Sequence, residues 1–503
     1  MQNITTPFEI TDAYKLSHWD QYPEGTTMVY SNFTPRKSRL RNCNEFVFFG
    51  LQAFLKKLTH IFNVNFFQYN EDYVVNAFAK FYKGYFGSEA SQSYLDKIRS
   101  LHKLGYLPLE IRALKEGSVV KHGIPCFTIK NTHPDFYWLT NFVETWISSE
   151  IWHPSTSATM AMMYRRVFDK YAQETSDLAE IMPQFQGHDF SFRGMPGIEA
   201  ASASGAAHLL SFLGSDTCIS ISYIRQYYGK RLPEDYMIAT SVPATEHSVM
   251  SAGSEENELE TYRRLIEDLY PTGIMSIVSD TYDFWKVVTE YLPQLKDKIM
   301  ARDGKVVIRP DSSPKTPVEI ICGDPDAPEG TPEHKGLCQC LYEIFGGTKN
   351  SKGYIELDSH IGMIYGDSIT PEYQERIVRG LKNKGFSTTI PVLGIGSYSY
   401  QFVTRDTHGI AIKATATKNT GTLIPIFKNP KTDDGTKKSA RGLLRITREG
   451  NDFLLHENVT EAEEKTGELE LTFLNGELVR EMNFQEIREH LRNFREIKET
   501  VTV

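Results

Sequence analysis

Residues 276–283 read SIVSDTYD and residues 306–313 read VVIRPDSS: in each, an apolar run stops abruptly at charged or hydroxyl-bearing residues. The same grammar recurs on both sides, at GHDFSFRG (187–194), GSDT (214–217), SVPATEHS (241–248), MIYGDS (363–368) and VLGIGS (392–397). Short continuous apolar runs are the pattern of parallel strands buried on both faces. Helical stretches lie between them. IEAASASGAAHLLSFLG (198–214) closes on Gly214, and ENELETYRRLIEDLY (256–270) is amphipathic. YDFWKVVTEYLPQLKDKIM (282–300) is amphipathic but interrupted at Pro293. PEYQERIVRGLKNKGF (371–386) begins with Pro and stops at Gly385. The alternation predicts an α/β fold centred on an irregular (β/α) barrel. Barrels carry their catalytic groups on the loops at the C-terminal ends of strands. Seven polar strand ends therefore predict one active-site face, and an enzyme.

Either side of this segment the grammar changes. MVYSNFTPR (28–36), EFVFFGLQ (45–52), LEIRAL (109–114) and PCFTIKN (125–131) read as strands, and FYWLTNFVETWISSEIW (136–152) as a buried helix. After residue 397, IAIKATATK (410–418) alternates, LLRITREGNDFLL (443–455) turns at Gly450-Asn451, and ELTFLNGELV (470–479) is a hairpin with Asn475-Gly476 at its tip. Asn483 and Glu486 form a capping-box start for a closing helix. The expected organisation is a barrel domain over 181–397 with a flanking α+β domain built from both chain ends, 1–180 and 398–503. The Gly/Pro/Asp-rich CGDPDAPEGTPEHKG (322–336) reads as an excursion on the barrel surface.

With 503 residues, 40% hydrophobic and 12% aromatic, the chain has material for large cores. Its net charge of −9 argues against a general nucleic-acid or anionic-membrane binder, so cationic contacts to a polyanionic substrate would have to be local. The opening MQNITTPFEITDAYK lacks the basic and apolar regions of a secretory signal, and no run of 18 apolar residues predicts a spanning helix. Six scattered cysteines fit a reducing compartment, which makes the cytoplasm the expected location. His334, Cys338 and Cys340 approach metal spacing but lack a fourth ligand.

Three carboxylates follow strands directly: Asp280 in IVSD, Asp311 in IRPDS and Asp367 in YGDS. One alone is more often a helix N-cap. Three on one face, beside Arg309, read as groups that hold sugar hydroxyls, orient a histidine or meet Mg²⁺. The turn Gly394-Ile395-Gly396-Ser397 ends the last strand, where barrels seat phosphate on free backbone N–H groups. His247, with Glu246 beside it, is either a structural histidine or a base or nucleophile. Arg36, Arg193, Arg309, Arg405, Lys413 and Lys428 are candidate cations for a polyphosphate.

Together these strings resemble the type II phosphoribosyltransferase family. The resemblance rests on TDAYKLSHWDQYP (11–23), YSNFTPR (30–36), FFGLQ (48–52), YWLTNFVET (137–145), HDFSFRG (188–194), SDT (215–217), SVPATEHS (241–248), SDTYD (279–283), IRPDS (308–312), GD (366–367), TRD (404–406) and FKNP (427–430). It implies the fold above, a homodimer with shared active sites, and transfer of phosphoribosyl from PRPP to the ring nitrogen of nicotinamide. The products would be nicotinamide mononucleotide and pyrophosphate, formed in NAD salvage. It implies that Phe190, with Tyr14 of the partner subunit, sandwiches the pyridine ring, while Arg193 and Asp216 meet its carboxamide. Asp12, Ser241, Ser276 and Gly366 are further substrate contacts it implies. Asp311 and Asp367 would hold ribose hydroxyls and Mg²⁺-linked groups, with Arg309 nearby, and Gly396 and Ser397 the 5′-phosphate. Arg36, Arg405, Lys413 and Lys428 would clamp pyrophosphate or ATP. His247 matches a histidine phosphorylated from ATP, oriented by Glu246 and Asp280.

The chain departs from the family pattern at Ser313, where relatives have Gly, and at Ala411, where relatives have a phosphate-contacting Ser. Two rival readings stand beside this one: a nicotinate phosphoribosyltransferase on the same fold, and a non-catalytic binding protein that keeps it.

Overall fold

The computed structural model describes residues 5–367, 369–430, 432 and 439–495. These described residues fall into two compact units, one within 1–159, 223–233 and 403–503, the other within 160–222 and 234–402. The expected domain division stood at 180/181 and 397/398.

The first unit is built on a seven-stranded antiparallel sheet that interleaves the two chain ends. Its order is Thr422–Pro425, Ala411–Asn419, Thr26–Thr34, Phe127–Asn131, Leu109–Ala113, Glu470–Leu474, Glu477–Leu478. Thr26–Thr34, rich in β-branched and aromatic residues, lies at the third position and pairs Tyr30 with Ala416 on one side and with Lys130 on the other. The helix Leu51–Phe62 begins directly after Gly50 (φ +107), so EFVFFGLQ is a strand only over Glu45–Val47. The turn at Asn475 (φ 51) and Gly476 (φ 88) has the two left-handed residues a tight hairpin needs. Asn483 and Glu486 cap each other reciprocally at 2.8 and 2.9 Å, opening the helix Phe484–Arg495.

The second unit is the barrel. Its parallel strands run in the order Gly214–Ser215, Gly187–Asp189, Pro391–Ile395, Ile361–Tyr365, Asp303–Arg309, Thr272–Val278. The extended segment 240–245 closes the ring. Thr240 bridges Gly214 at one edge and Ala244 bridges Ser276 at the other, both in parallel. Four backbone bonds hold the closure: Ser215 to Thr240, Thr240 to Leu213, Thr245 to Ser276 and Ser276 to Pro243, at 2.7–3.1 Å. All seven polar strand ends of the sequence thus surround one rim.

Two expectations are corrected, and a third stretch is filled in. The helix of 198–214 ends at His208, and Gly214 is a strand residue rather than a helix stop. That helix is buried on nearly all sides, which is why it is built of Ala, Ser and Gly. In 282–300 the irregularity falls at Val287–Tyr291, a π-helical turn just before Pro293, whose ring nitrogen has no proton to donate to the ladder. The 322–336 excursion carries the short helix Pro332–Lys335 and runs directly into Leu337–Phe345, where Cys338 and Cys340 are buried.

Candidate active site

Alternation along a strand sends every second side chain into the barrel. Phe190 follows Gly187–Asp189 and anchors its N–H on the Ile395 carbonyl at 3.0 Å. Its ring lies across two glycines. A Cβ on Gly394 would fall 2.4 Å from Phe190 Cδ2, and one on Gly366 would fall 3.1 Å from Cε2. His188, two residues earlier and on the same face, holds its imidazole 4.9 Å from the Phe190 ring at 50°.

Asp216 ends the neighbouring strand. Its Oδ1 accepts from His188 Nε2 at 2.9 Å and from Ser241 Oγ at 2.6 Å. Burial pushes the carboxyl upward, but the hydrogen bond and charge of His188, the Ser241 hydroxyl and the charge of Arg309 outweigh it and hold it below the usual range. Ser241 thus braces the same oxygen that His188 meets. Ser276 contributes backbone bonds to the closure, and its hydroxyl is buried without a partner among the described residues. Arg193 sits exposed on the short turn Phe192–Gly194.

The acidic groups converge on the same rim, with Asp311 and Phe190 both beside Gly366. Arg309 donates to the Thr245 carbonyl at 2.8 Å and pairs with Asp311 at 3.4 Å. Asp280 accepts from the Asp311 N–H at 3.1 Å and from the Ser312 hydroxyl. Burial raises Asp311 above the usual carboxylate range; Arg309 and His247 oppose this, while Asp280 and Asp367 add to it. His247 opens the helix His247–Ser251, with Nδ1 3.1 Å from Thr281 Oγ1 and Nε2 3.8 Å from Asp280 Oδ1. Glu246, beside His247 in sequence, accepts from the Ser248 hydroxyl. Thr281 was not singled out by sequence reasoning.

Mg²⁺ keeps waters and takes one or two carboxylates plus substrate phosphates rather than an all-protein cage. The residues fit this. Asp280 Oδ1 and Asp311 Oδ1 are buried and lack hydrogen-bond partners among the described residues. No group of three or more potential ligands forms a cage among those residues.

The first unit gathers its own cations. Burial lowers the Lys413 ammonium, with Arg36, Lys428 and Lys15 pushing the same way and Glu144 opposing. Arg36 is braced by the Gly409 carbonyl at 2.7 Å. Lys15, which sequence reasoning missed, is buried against Glu144 at 2.7 Å and the Asn141 carbonyl at 2.9 Å. Arg405 pairs with Asp406. Tyr14 is 60% exposed, whereas Asp12 accepts from Thr145 at 2.6 Å. Ser313 is accommodated: its hydroxyl donates to the Thr316 carbonyl at 2.7 Å and accepts from Lys315 N–H at 3.3 Å. Ala411 is buried at the start of its strand.

Carboxylates, an imidazole, a guanidinium and a glycine floor on one barrel rim define an enzyme for a polar, charged substrate that carries a flat ring. The chain belongs to the nicotinate phosphoribosyltransferase (NAPRTase) family, which matches residues 185–475. Residues 8–111 match the nicotinamide phosphoribosyltransferase N-terminal domain. A protein of Acinetobacter baylyi named nicotinamide phosphoribosyltransferase is 48% identical over 497 residues, covering 96% of this chain and 97% of the relative. Relatives of the same name from Xanthomonas campestris and Mycoplasma pneumoniae are 32% and 35% identical, covering 95% and 87% of this chain and 97% of each relative. The fold is shared with two crystal structures: nicotinate-nucleotide pyrophosphorylase from Pyrococcus furiosus (TM-score 0.56, 14% identity, 97% of this chain and 96% of that one) and human nicotinic acid phosphoribosyltransferase (TM-score 0.52, 13% identity, 97% and 93%). Among the described residues no helix is long and apolar enough to cross a membrane.

Proposed function

We propose that this enzyme transfers phosphoribosyl from PRPP to nicotinamide, giving nicotinamide mononucleotide and pyrophosphate in NAD salvage. The observation that carries the substrate choice is Asp216, an ionised acceptor at the edge of the Phe190 ring site. A carboxylate there accepts a carboxamide N–H and repels an acid. The bond between the pyridine nitrogen and C1′ forms as the C1′–O bond to pyrophosphate breaks, through an oxocarbenium-like ribosyl cation. Positioning and electrostatics dominate such a step. Phe190 stacks under the ring and Tyr14 of the partner subunit covers it. The exposure of Tyr14 suits a homodimer with shared sites. Arg193 contacts the carboxamide. Asp311 and Asp367 hold the ribose hydroxyls, Arg309 sits beside them, and Gly396 and Ser397 take the 5′-phosphate. Arg36, Arg405, Lys413 and Lys428 receive pyrophosphate or ATP phosphates. Asp280 and Asp311 would hold Mg²⁺, which neutralises pyrophosphate charge when bound.

His247 accepts a phosphoryl group from ATP in this reading, with Asp280 and Thr281 on its two ring nitrogens. All six cysteines are free thiols, which suits a cytoplasmic enzyme. The test is product analysis with nicotinamide and nicotinate in competition, in the presence of PRPP and Mg²⁺, with and without ATP. Preferential nicotinate mononucleotide would make the acid the substrate. No mononucleotide from either base would return the chain to a binding protein.

A further inference from the structure

We infer that His188 is a specificity-determining positioning residue: with Ser241 it pins one oxygen of Asp216, so that the other oxygen is the one a carboxamide meets. The inference rests on the reading of Asp216 as the carboxamide acceptor. A lone carboxylate exchanges its two oxygens by rotation about its last side-chain bond. Here both donors converge on Oδ1, at 2.9 Å from His188 and 2.6 Å from Ser241. The carboxylate is 47% exposed, and Oδ2 has no partner among the described residues.

The two donors come from opposite sides of the strand they serve. His188 pairs with Gly214 in the parallel ladder, and Thr240, next to Ser241, bridges Gly214 from its other edge. Asp216 is therefore clamped by the strands flanking its own. Gly214 is part of the device, because a Cβ there would sit 2.8 Å from His188 Nδ1 and drive the imidazole off the strand. The same imidazole leans on the Phe190 ring. One side chain thus fixes the acid relative to the floor on which a pyridine would lie. Because Asp216 accepts, Nε2 carries the proton.

Steady-state kinetics on the full-length enzyme test this. His188→Ala should raise the KM for nicotinamide about tenfold, the scale of one hydrogen bond to a charged group, with kcat held within about threefold. It should also erode the preference for nicotinamide over nicotinate. His188→Gln, whose amide N–H reaches the position of Nε2, should restore KM to within about threefold of wild type. In an Asp216→Ala background, adding His188→Ala should change KM by less than about twofold, because nothing remains to position. An equal His188 effect in both backgrounds would mean that the imidazole meets the pyridine directly, and would overturn the inference. So would a fall in kcat with KM unchanged. If Asp216→Ala by itself leaves KM and base preference untouched, the reading of Asp216 fails first, and this inference with it. Should the Ala variant not fold, His188→Asn, whose shorter amide falls short of Oδ1, takes its place. Asn matching Gln would then count against the inference.

Discussion

Gly394→Ala is the sharpest probe of the ring floor. The new Cβ would lie 2.4 and 2.6 Å from two Phe190 ring carbons and 2.8 Å from the Gly366 Cα. Rotating Phe190 relieves the first two contacts but not the third, which is backbone. The neighbouring strand must therefore give by several tenths of an ångström while the ring is pushed off its seat. Overpacking of this kind costs about 1–3 kcal/mol. For a unit of this size that is about 2–4 °C of melting temperature per kcal/mol. Losing an aromatic stack, worth about 0.5–1.5 kcal/mol, raises the nicotinamide KM about two- to twelvefold. Gly396 is the internal control. It sits two residues further along, has nothing within 4 Å of its Cβ, and has an unstrained φ of −88. Calorimetry should find Gly396→Ala neutral in stability and Gly394→Ala destabilised. In a Phe190→Ala background the Gly394→Ala penalty should shrink without vanishing, because the Gly366 contact persists. Equal melting temperatures for the two glycine variants, with KM unchanged in Gly394→Ala, would refute a ring seated on this strand.

Other substitutions probe the remaining parts. Asp216→Asn should raise turnover of nicotinate relative to nicotinamide: two charges about 4 Å apart repel by about 4 kcal/mol at an effective dielectric near 20. Arg309 offsets part of that, so a ten- to hundredfold change in the ratio, about 1.4–2.8 kcal/mol, is the expected readout of a competition assay. His247→Ala should abolish ATP-stimulated turnover and leave basal transfer; identical loss of both would place His247 in the chemical step. His408 is buried and pushed down to about 3 by burial, with the charge of His122 adding to it. Its folded value lies below the ordinary 6.5, so the unfolded chain binds the proton first. Its contribution is present above pH 6.5 and is lost at about 1.4 kcal/mol per pH unit as pH falls toward 3. Glu258, raised to about 7 by burial, acts with the opposite sign, so the test is a difference. The gap in urea-unfolding free energy between wild type and His408→Gln should close as pH drops from 7.5 to 5, and a constant gap would count against it.

Much of this molecule is written locally. Apolar runs ending at Asp280, Asp311, Asp367 and Gly396 state that strands are buried and where they stop, because burial on both faces demands continuous apolar side chains. Asn475-Gly476 and the Asn483–Glu486 cap are equally local, since each is satisfied by its own neighbours. His188 was legible in principle, as it lies two residues before Phe190 on the same strand face.

What the sequence could not decide is which partner each group finds. Gly214 reads as a helix stop until it is seen paired on both edges, with His188 over it. Glu246 and Asp280 are equivalent candidates for orienting His247 on paper; the structure adds that Glu246 accepts from Ser248 and that Asp280 stands 3.8 Å from the ring. Ser241 reads as a substrate contact, and nothing in its local sequence announces the hydrogen bond it donates to Asp216. Local patterning encodes the strands, their polar ends and the residue types gathered at the rim. The closure through 240–245 and the orientation of Asp216 come from long-range pairing. Strand pairing and side-chain direction depend on elements far apart in the chain, and local periodicity carries no record of them.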